Sequence, residues 1–192
     1  MLITARGSRI EPTKVKSLEG ELEMCGIFGC ILKKGNAAPV IHEALKRLEY
    51  RGYDSVGEAT LHGGKLHVKR DQGKIDDVHT ARNLDDLPGS LGVGHTRWAT
   101  HGAPLEVNAH PHLDCTGRIA LVHNGIIENF AELKLELEGQ GHVFKSKTDT
   151  EVIVHLVEQI WKSNPSFGLV DAVHEAVKRL DGSYAIAVVS VG

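Results

Sequence analysis

The chain of 192 residues carries a formal net charge of -3, with 41% hydrophobic and 24% charged residues, which are ordinary values for one globular domain. No dense run of Lys and Arg marks a nucleic-acid-binding face, and no apolar stretch reaches the roughly 18 residues of a membrane helix. The three cysteines are an odd number without disulfide-framework spacing, so we expect a reduced, cytoplasmic protein that binds neither nucleic acid nor membrane.

Residues 1–24 differ in composition from the rest of the chain. They contain charged residues of both signs and few large apolar ones, and no apolar core of about 7–15 residues indicates a secretory signal. We expect a flexible extension, which would be a propeptide, the product of an upstream start codon or an artificial addition. If translation begins at Met24, ordinary removal of that methionine would expose Cys25, and residues 25–192 would form the domain.

From Cys25 onward, short strands and helices follow one another. Strands are predicted where apolar runs are bounded by turn residues, and helices where apolar residues recur at intervals of three and four. Predicted strands cover residues 25–33, 57–61, 65–70, 91–97, 118–122 and 184–191, and predicted helices cover residues 40–48, 75–81, 130–137, 152–161 and 167–180. Gly63-Gly64 is typical of a hairpin turn. The pattern predicts an α+β fold with largely antiparallel sheets covered by helices.

The segment from Thr148 to Glu151 predicts the start of a helix. A threonine followed three residues later by a glutamate is the pattern of a capping box, in which Thr148 would be the N-cap residue. Asp149 would then lie in the first turn, where a carboxylate gains about 0.3–1 kcal/mol from the helix dipole.

Cys25 lies between Met24 and Gly26, at the start of the first apolar strand. A thiol with an unperturbed pKa near ~8.5 and an α-amine with one near ~7.7–8.0 would form a matched nucleophile and base if one residue carried both. That arrangement requires cleavage of the chain between Met24 and Cys25. We therefore expect Cys25 to be a nucleophile, whereas Cys30 and Cys115 lack such a context and are expected to be structural.

Six segments in order resemble a single family, the glutaminase domains of glutamine–fructose-6-phosphate aminotransferases, also called glucosamine-6-phosphate synthases. The resemblance runs from Cys25 to the end of the chain and is carried by Met24-Cys25-Gly26-Ile27 and by residues 47–55, 94–102, 108–112, 123–129 and 148–151. It implies the N-terminal-nucleophile hydrolase fold, a four-layer αββα sandwich of two antiparallel sheets. Domains of this family continue beyond the equivalent of Val191, so we expect the sandwich to be incomplete at its carboxyl end.

The resemblance also implies the residues of a glutamine-hydrolysing site. The implied catalytic residues are Cys25, Arg51, Gly52, Asn124 and Gly125, and the implied glutamine-binding residues are Arg97, Trp98, Thr100, His101 and Asp149. Cys25 would attack the side-chain amide while its own α-amine takes and returns the proton. The Asn124 side chain and the Gly125 N–H would bind the oxyanion, although an Asn-Gly pair by itself predicts a turn.

The glutamine-binding roles follow from charge and shape. Arg97 fits the α-carboxylate of glutamine, because a guanidinium can hold both oxygens, and Asp149 fits the ammonium group. The loop that begins at Trp98 would form a lid, with core filling as the alternative for the tryptophan. Arg51 and Gly52 would orient the amine of the nucleophile, or would be the end of a helix with a glycine cap.

Twelve histidines raise the question of a metal site. Five of them come close together in sequence, namely His95, His101, His110, His112 and His123. No Cys/His pair has the spacing of a zinc site, and loop histidines near a polar site usually hydrogen-bond instead. We therefore predict no metal, and no other cofactor because no phosphate-binding or dinucleotide-binding motif is present. Glu58 lies inside a predicted strand and would be exposed, paired or protonated.

The resemblance implies hydrolysis of L-glutamine to glutamate and ammonia through a Cys25 thioester. The ammonia would convert fructose-6-phosphate to glucosamine-6-phosphate on sugar-isomerase domains or a separate synthase subunit, in a full enzyme expected to be a homodimer. One alternative is a non-catalytic module that binds glutamine or a partner protein, with the Cys25 amine blocked. Another is a class II amidotransferase of a different pathway, similar to amidophosphoribosyltransferases.

Overall fold

The computed structural model describes residues 2–8, 25–98 and 102–192, and these residues contain eight strands and five α-helices. The strands are β1 Leu2–Ser8, β2 Gly26–Ile31, β3 Ser55–His62, β4 Lys65–Gln72, β5 Leu91–Arg97, β6 His112–Leu113, β7 Ile119–Ile127 and β8 Gly182–Ser190. The helices are α1 Ala38–Leu48, α2 Ile75–Arg82, α3 Phe130–Gly139, α4 Thr150–Ser163 and α5 Leu169–Val177. Among the described helices, none combines the length and the apolar character needed to cross a membrane.

The strands form two antiparallel sheets of four strands each. The first sheet has the order β2-β5-β3-β4, and the second has the order β1-β8-β7-β6. In the first sheet, Gly26 pairs with Thr96, which brings the beginning of β2 beside the end of β5. In the second sheet, β7 pairs with β8 along its whole length. The two sheets therefore supply the antiparallel framework that the hairpin pattern predicts.

The sheets pack face to face, with helices on both outer sides. Small and β-branched residues fill the space between the sheets, namely Ala59, Val93, Ala120, Val122, Ala187 and Val189. Helix α1 covers the first sheet through Ile41 and Leu45, and helices α3, α4 and α5 cover the second sheet around Ile153 and Leu156. This arrangement confirms the α+β, four-layer αββα sandwich of the N-terminal-nucleophile type.

The N-terminal segment differs from the expectation of flexibility. Residues 2–8 form β1 and pair with β8 from Leu2 opposite Val189 to Ser8 opposite Ser183, whereas residues 9–24 lie outside the described residues. Edge pairing uses main-chain N–H and C=O groups, which every residue except proline carries. Composition therefore gives little sign that this segment adds a strand to the sheet.

The predicted capping box does not form at the start of α4. The N-cap residue is Asp149 rather than Thr148, and it makes no side-chain capping bond. Thr148 Oγ1 lies 3.0 Å from His112 Nε2, and the carboxylate of Glu151 accepts from the main-chain N–H groups of Lys145 and Ser146 at 2.9 and 2.6 Å. Glu151 thus stabilises the loop before the helix, and tertiary contacts outweigh the local pattern.

Glu58 is fully buried in β3, between neighbouring strands that place Lys69 and Gly94 opposite it. Among the described residues, neither carboxylate oxygen has a hydrogen-bond partner. Burial and the carboxylate of Asp85, opposed by the ammonium of Lys69, together raise the pKa of Glu58 to about 9. Of the three states expected for this residue, the protonated one fits the structure at neutral pH.

Candidate active site

Cys25 lies just before β2, where its sulfur contacts the main chain of Trp98 at the end of β5. The Trp98 N–H donates to Sγ at 3.1 Å, and the thiol donates to the Trp98 carbonyl at 3.5 Å. Burial raises the pKa of the Cys25 thiol and the carboxylate of Asp54 adds to the effect, while the Trp98 N–H and the Arg97 charge oppose it. With its nitrogen in a peptide bond, Cys25 is therefore a protonated and weakly nucleophilic thiol.

Asn124 is hydrogen-bonded to the same residue from the opposite sheet. Its Nδ2 donates to the Cys25 carbonyl at 2.7 Å, and its Oδ1 lies 3.0 Å from His95 Nε2, which also lies 2.9 Å from the His123 carbonyl. Burial lowers the pKa of His95 to about 3, so this imidazole is neutral and Nε2 carries its single proton. His95 therefore fixes the amide of Asn124 with its NH₂ group toward Cys25.

Gly125 follows Asn124 within β7, opposite Tyr184 of β8. Its φ of +118° is unfavourable for residues with a side chain, and a Cβ atom here would lie 2.1 Å from the Ser183 carbonyl oxygen. The Asn-Gly pair lies inside a strand, so its interpretation as a turn between strands is wrong.

Gly52 lets the chain after α1 pass close to the Arg97–Trp98 peptide. A short helical turn ends at Arg51, and the backbone of Gly52 is extended rather than left-handed. A Cβ atom on Gly52 would lie 2.6 Å from the Arg97 carbonyl carbon and 2.8 Å from the Trp98 nitrogen that donates to Cys25 Sγ. The lack of a side chain at this position therefore leaves space for the peptide that is hydrogen-bonded to the thiol.

Arg97 is buried at the end of β5. Its Nη2 donates to the Gly102 carbonyl at 3.0 Å, and its Nη1 lies 3.9 Å from Asp54 Oδ1. The indole of Trp98 meets the ring of Tyr53 edge to face, with ring centroids 5.1 Å apart. Two further residues of the predicted glutamine-binding loop, Thr100 and His101, lie outside the described residues.

Asp149 connects the start of α4 to β7. It is 4% exposed, and its Oδ2 accepts from the Ile127 N–H at 2.8 Å. Next to it, Thr150 Oγ1 lies 2.9 Å from His110 Nε2 and 2.8 Å from His123 Nδ1. Burial lowers the pKa of His123 to about 4 and that of His110 well below its ordinary value, so both imidazoles are neutral partners of this hydroxyl.

Direct contacts join Cys25 to two other predicted site residues, Trp98 and Asn124. Gly52 packs on the Arg97–Trp98 peptide, and Gly125 follows Asn124 in β7. Asp149 accepts a hydrogen bond from the N–H of Ile127, two residues after Gly125. The sequence interpretation missed His95 as a positioning residue. A signal was present, because His95 and Arg97 are two residues apart in a predicted strand and therefore share one face.

The comparisons with known proteins agree with this geometry. The sequence profile of the glutamine amidotransferase domain family matches residues 95–191, just over half of the chain. The glutamine–fructose-6-phosphate aminotransferase (isomerizing) of Methanothermobacter thermautotrophicus is 57% identical over 167 residues, which cover 87% of this chain and 28% of the relative. Its counterpart from Pyrococcus horikoshii is 57% identical over 165 residues, covering 86% of this chain and 27% of the relative.

Among solved structures, the glutamine phosphoribosylpyrophosphate amidotransferase of Bacillus subtilis is 31% identical with a TM-score of 0.70. That match covers 87% of this chain and 35% of the other. The chain thus spans only about a quarter to a third of the length of these relatives. The family profile, the two stacked sheets and the Cys25–Asn124 contact together place the chain in the glutamine amidotransferase domain family.

Proposed function

We propose that this chain is the glutaminase module of a glutamine–fructose-6-phosphate aminotransferase and hydrolyses L-glutamine once Cys25 is the N-terminal residue. The observation that carries the proposal is the 2.7 Å bond from Asn124 Nδ2 to the Cys25 carbonyl. It places an amide donor from one sheet beside a cysteine from the other. Relatives 57% identical to the chain bear the name of this aminotransferase.

The reaction would begin with attack by Cys25 Sγ on the side-chain amide carbon of glutamine. The free α-amine would take the thiol proton and pass it to the departing ammonia, which leaves a thioester. Water would then attack the thioester, with the amine as base, and glutamate and the thiol would be released. The second N–H of Asn124 Nδ2 and the Gly125 N–H would bind the oxyanion at both stages.

The glutamine-binding roles belong to the same proposal. Arg97 carries five N–H donors, enough to hold the Gly102 carbonyl and still clamp the α-carboxylate of glutamine. Asp149 would bind the ammonium group, and the loop from Trp98 through Thr100 and His101 would close over the substrate. Arg51 and Gly52 would orient the Cys25 amine.

The ammonia would be used by sugar-isomerase domains or by a separate synthase subunit that converts fructose-6-phosphate to glucosamine-6-phosphate. We place the full enzyme in the cytoplasm and expect it to be a homodimer. The amidophosphoribosyltransferase alternative receives less support, because the solved structure with that activity in its name is 31% identical, against 57% for the aminotransferases.

A non-catalytic module is the second candidate, and the raised pKa of the Cys25 thiol favours it for the chain that keeps residues 1–24. In that chain the backbone nitrogen of Cys25 is a peptide amide instead of a free amine, so the adjacent base is missing. The module would bind glutamine or a partner protein without turning glutamine over.

Two chains separate these candidates, one of all 192 residues and one that starts at Met24 and loses that methionine. We expect the shorter chain to release glutamate and ammonia, and to form a covalent adduct at Cys25 with an electrophilic glutamine analogue. The 192-residue chain should do neither. Because the shorter chain also lacks β1, thermal unfolding must show that it is folded. Full glutaminase activity in a chain whose mass includes residues 1–24 would refute the proposed mechanism.

A further inference from the structure

A second cluster of reactive side chains lies away from Cys25, on the outer side of the second sheet. Cys115 lies in the turn before β7, His142 lies in the loop after α3, and His155 and Glu158 lie one turn apart on α4. Each residue contributes one atom to a common centre, and the four atoms all lie within 4.8 Å of one another. Three separate elements of the fold therefore converge at this point.

Five of the six distances between these atoms match the edges of a tetrahedral metal site. Cys115 Sγ lies 3.6 Å from His142 Nδ1 and 3.5 Å from His155 Nδ1, and the two Nδ1 atoms are 3.3 Å apart. Glu158 Oε2 lies 3.2 Å from His142 Nδ1 and 3.4 Å from His155 Nδ1.

Zinc binds nitrogen at about 2.0–2.1 Å, oxygen at about 2.0–2.2 Å and sulfur at about 2.3 Å. A tetrahedron with these bond lengths has edges of about 3.3 Å between nitrogens, about 3.5–3.6 Å between sulfur and nitrogen, and about 3.3–3.5 Å between nitrogen and oxygen. The five observed distances agree with these edges to about 0.1 Å. We propose that Cys115, His142, His155 and Glu158 bind one zinc ion.

The far nitrogen of each imidazole faces an acceptor, and within the described residues that of His142 is hydrogen-bonded whereas that of His155 is not. His142 Nε2 lies 3.0 Å from Gln159 Oε1, and His155 Nε2 lies 3.6 Å from the Glu151 carboxylate. Each acceptor favours the tautomer with its proton on Nε2 and a lone pair on Nδ1, the nitrogen that faces the centre. The Cys115 N–H donates to Glu158 Oε2 at 3.0 Å and fixes the direction of that carboxylate.

The donor set selects the metal. One thiolate, two imidazoles and one carboxylate suit zinc, whereas magnesium and calcium prefer oxygen ligands alone. A thiolate and a carboxylate also neutralise the two positive charges of zinc, which matters because His142 and His155 are only 8% and 1% exposed. Four protein ligands leave no open position, so the ion is structural and fastens α4 to the start of β7.

The sequence prediction of no metal did not consider this set, because its members are widely separated. Cys115 precedes His142 by 27 residues, and His142 precedes His155 by 13. The pairing is created by the fold, and the one local sign is the spacing of three residues between His155 and Glu158, which places both on one helix face.

Metal analysis of the 192-residue chain tests the proposal in a Cys25→Ala background, which removes the thiol of the proposed active site. We expect one equivalent of zinc. After exchange with cobalt, we expect the intense visible bands of a tetrahedral ion and a thiolate-to-cobalt band in the near ultraviolet. Cys115→Ser should remove the thiolate band, whereas the matched change Cys30→Ser should leave it unchanged.

Gln159→Ala removes an outer partner without removing a ligand, and we expect it to weaken zinc binding by about 10–100-fold in competition with a chromophoric chelator. This variant keeps the test informative if Cys115→Ser fails to fold. A folded parent protein that takes up neither zinc nor cobalt, or whose thiolate band depends on Cys30 instead of Cys115, overturns the proposal. None of these measurements depends on glutamine hydrolysis.

Discussion

The Nε2 atom of His95 lies 3.0 Å from Oδ1 of Asn124, and this contact crosses from one sheet of the sandwich to the other. His95 is fully buried, and burial lowers its pKa to about 3, so it acts as a neutral donor at physiological pH. Its N–H leaves the amide of Asn124 only one orientation, with the NH₂ group toward Cys25. We infer that His95 is a positioning residue for the proposed oxyanion donor.

The first prediction concerns this pair, measured in the chain that begins at Cys25. Asn124→Ala should lower kcat for glutamine hydrolysis by about 10²–10³-fold with little change in KM, because one oxyanion donor is lost. His95→Gln keeps a side-chain N–H donor and should retain more activity than His95→Leu. Once Asn124 is alanine, neither change at position 95 should reduce kcat much further. Additive losses in the double variants would contradict the positioning role.

The second prediction concerns Gly52. Gly52→Ala places a methyl group 2.6–2.9 Å from the Arg97–Trp98 peptide, so that peptide must shift away from Cys25 Sγ. We expect a loss of activity and of stability in a folded protein, seen as a lower kcat and a lower Tm. Gly139→Ala is the matched control, because nothing lies within 4 Å of a Cβ atom there and the position ends α3. That change should leave kcat unchanged and be neutral or stabilising by up to about 1 kcal/mol.

Much of the fold follows from local sequence patterns. The predicted strand at residues 91–97 matches β5 residue for residue, and the predicted helix near residues 75–81 ends within one residue of α2. The site residues lie in short motifs that can be recognised one at a time. The contacts between those motifs could not be predicted, because the bond between His95 and Asn124 depends on how two sheets stack.

The missed features share one physical cause, namely interactions between residues far apart in sequence. Strand β1 forms through main-chain pairing with β8, which composition barely influences. Thr148 lies 3.0 Å from His112 instead of capping α4. The four residues of the proposed zinc site come from a turn, a loop and a helix. Periodicity describes a segment, whereas these contacts are properties of the packed chain.

The third prediction concerns Glu58 and alkaline pH. Its pKa is about 9 in the folded protein and has the ordinary value of 4.5 when unfolded, so the folded state holds one more proton between these values. Stability from this group is therefore present below about pH 4.5 and is lost as the pH rises toward 9. Glu58→Met removes the titration. Between pH 6 and 8, the variant should gain about 3 kcal/mol in free energy of unfolding relative to the parent.

Denaturant unfolding at several pH values measures this difference. Lys69 lies opposite Glu58, and its charge lowers the pKa of that carboxyl group. A Lys69→Met variant is therefore the control, because it removes a nearby charge and leaves the carboxyl group. Parallel stability curves for the parent and Glu58→Met would mean that the carboxyl group titrates normally.

The fourth prediction concerns acid and the buried histidines His95, His112 and His123, whose pKa values are lowered by burial to about 3, 3 and 4. The unfolded chain binds protons at these positions below about pH 6.5 and the folded protein does not, so stability falls as the pH drops from 6.5 toward 4. Each histidine should contribute a slope of about 1.4 kcal/mol per pH unit over that range. The free energy of unfolding of His123→Gln, measured in denaturant, should therefore change with pH over this range with a slope shallower by that amount. An identical slope in the parent and in His123→Gln would show that His123 is already protonated in the folded protein, and its contact with Thr150 would need to be reassigned.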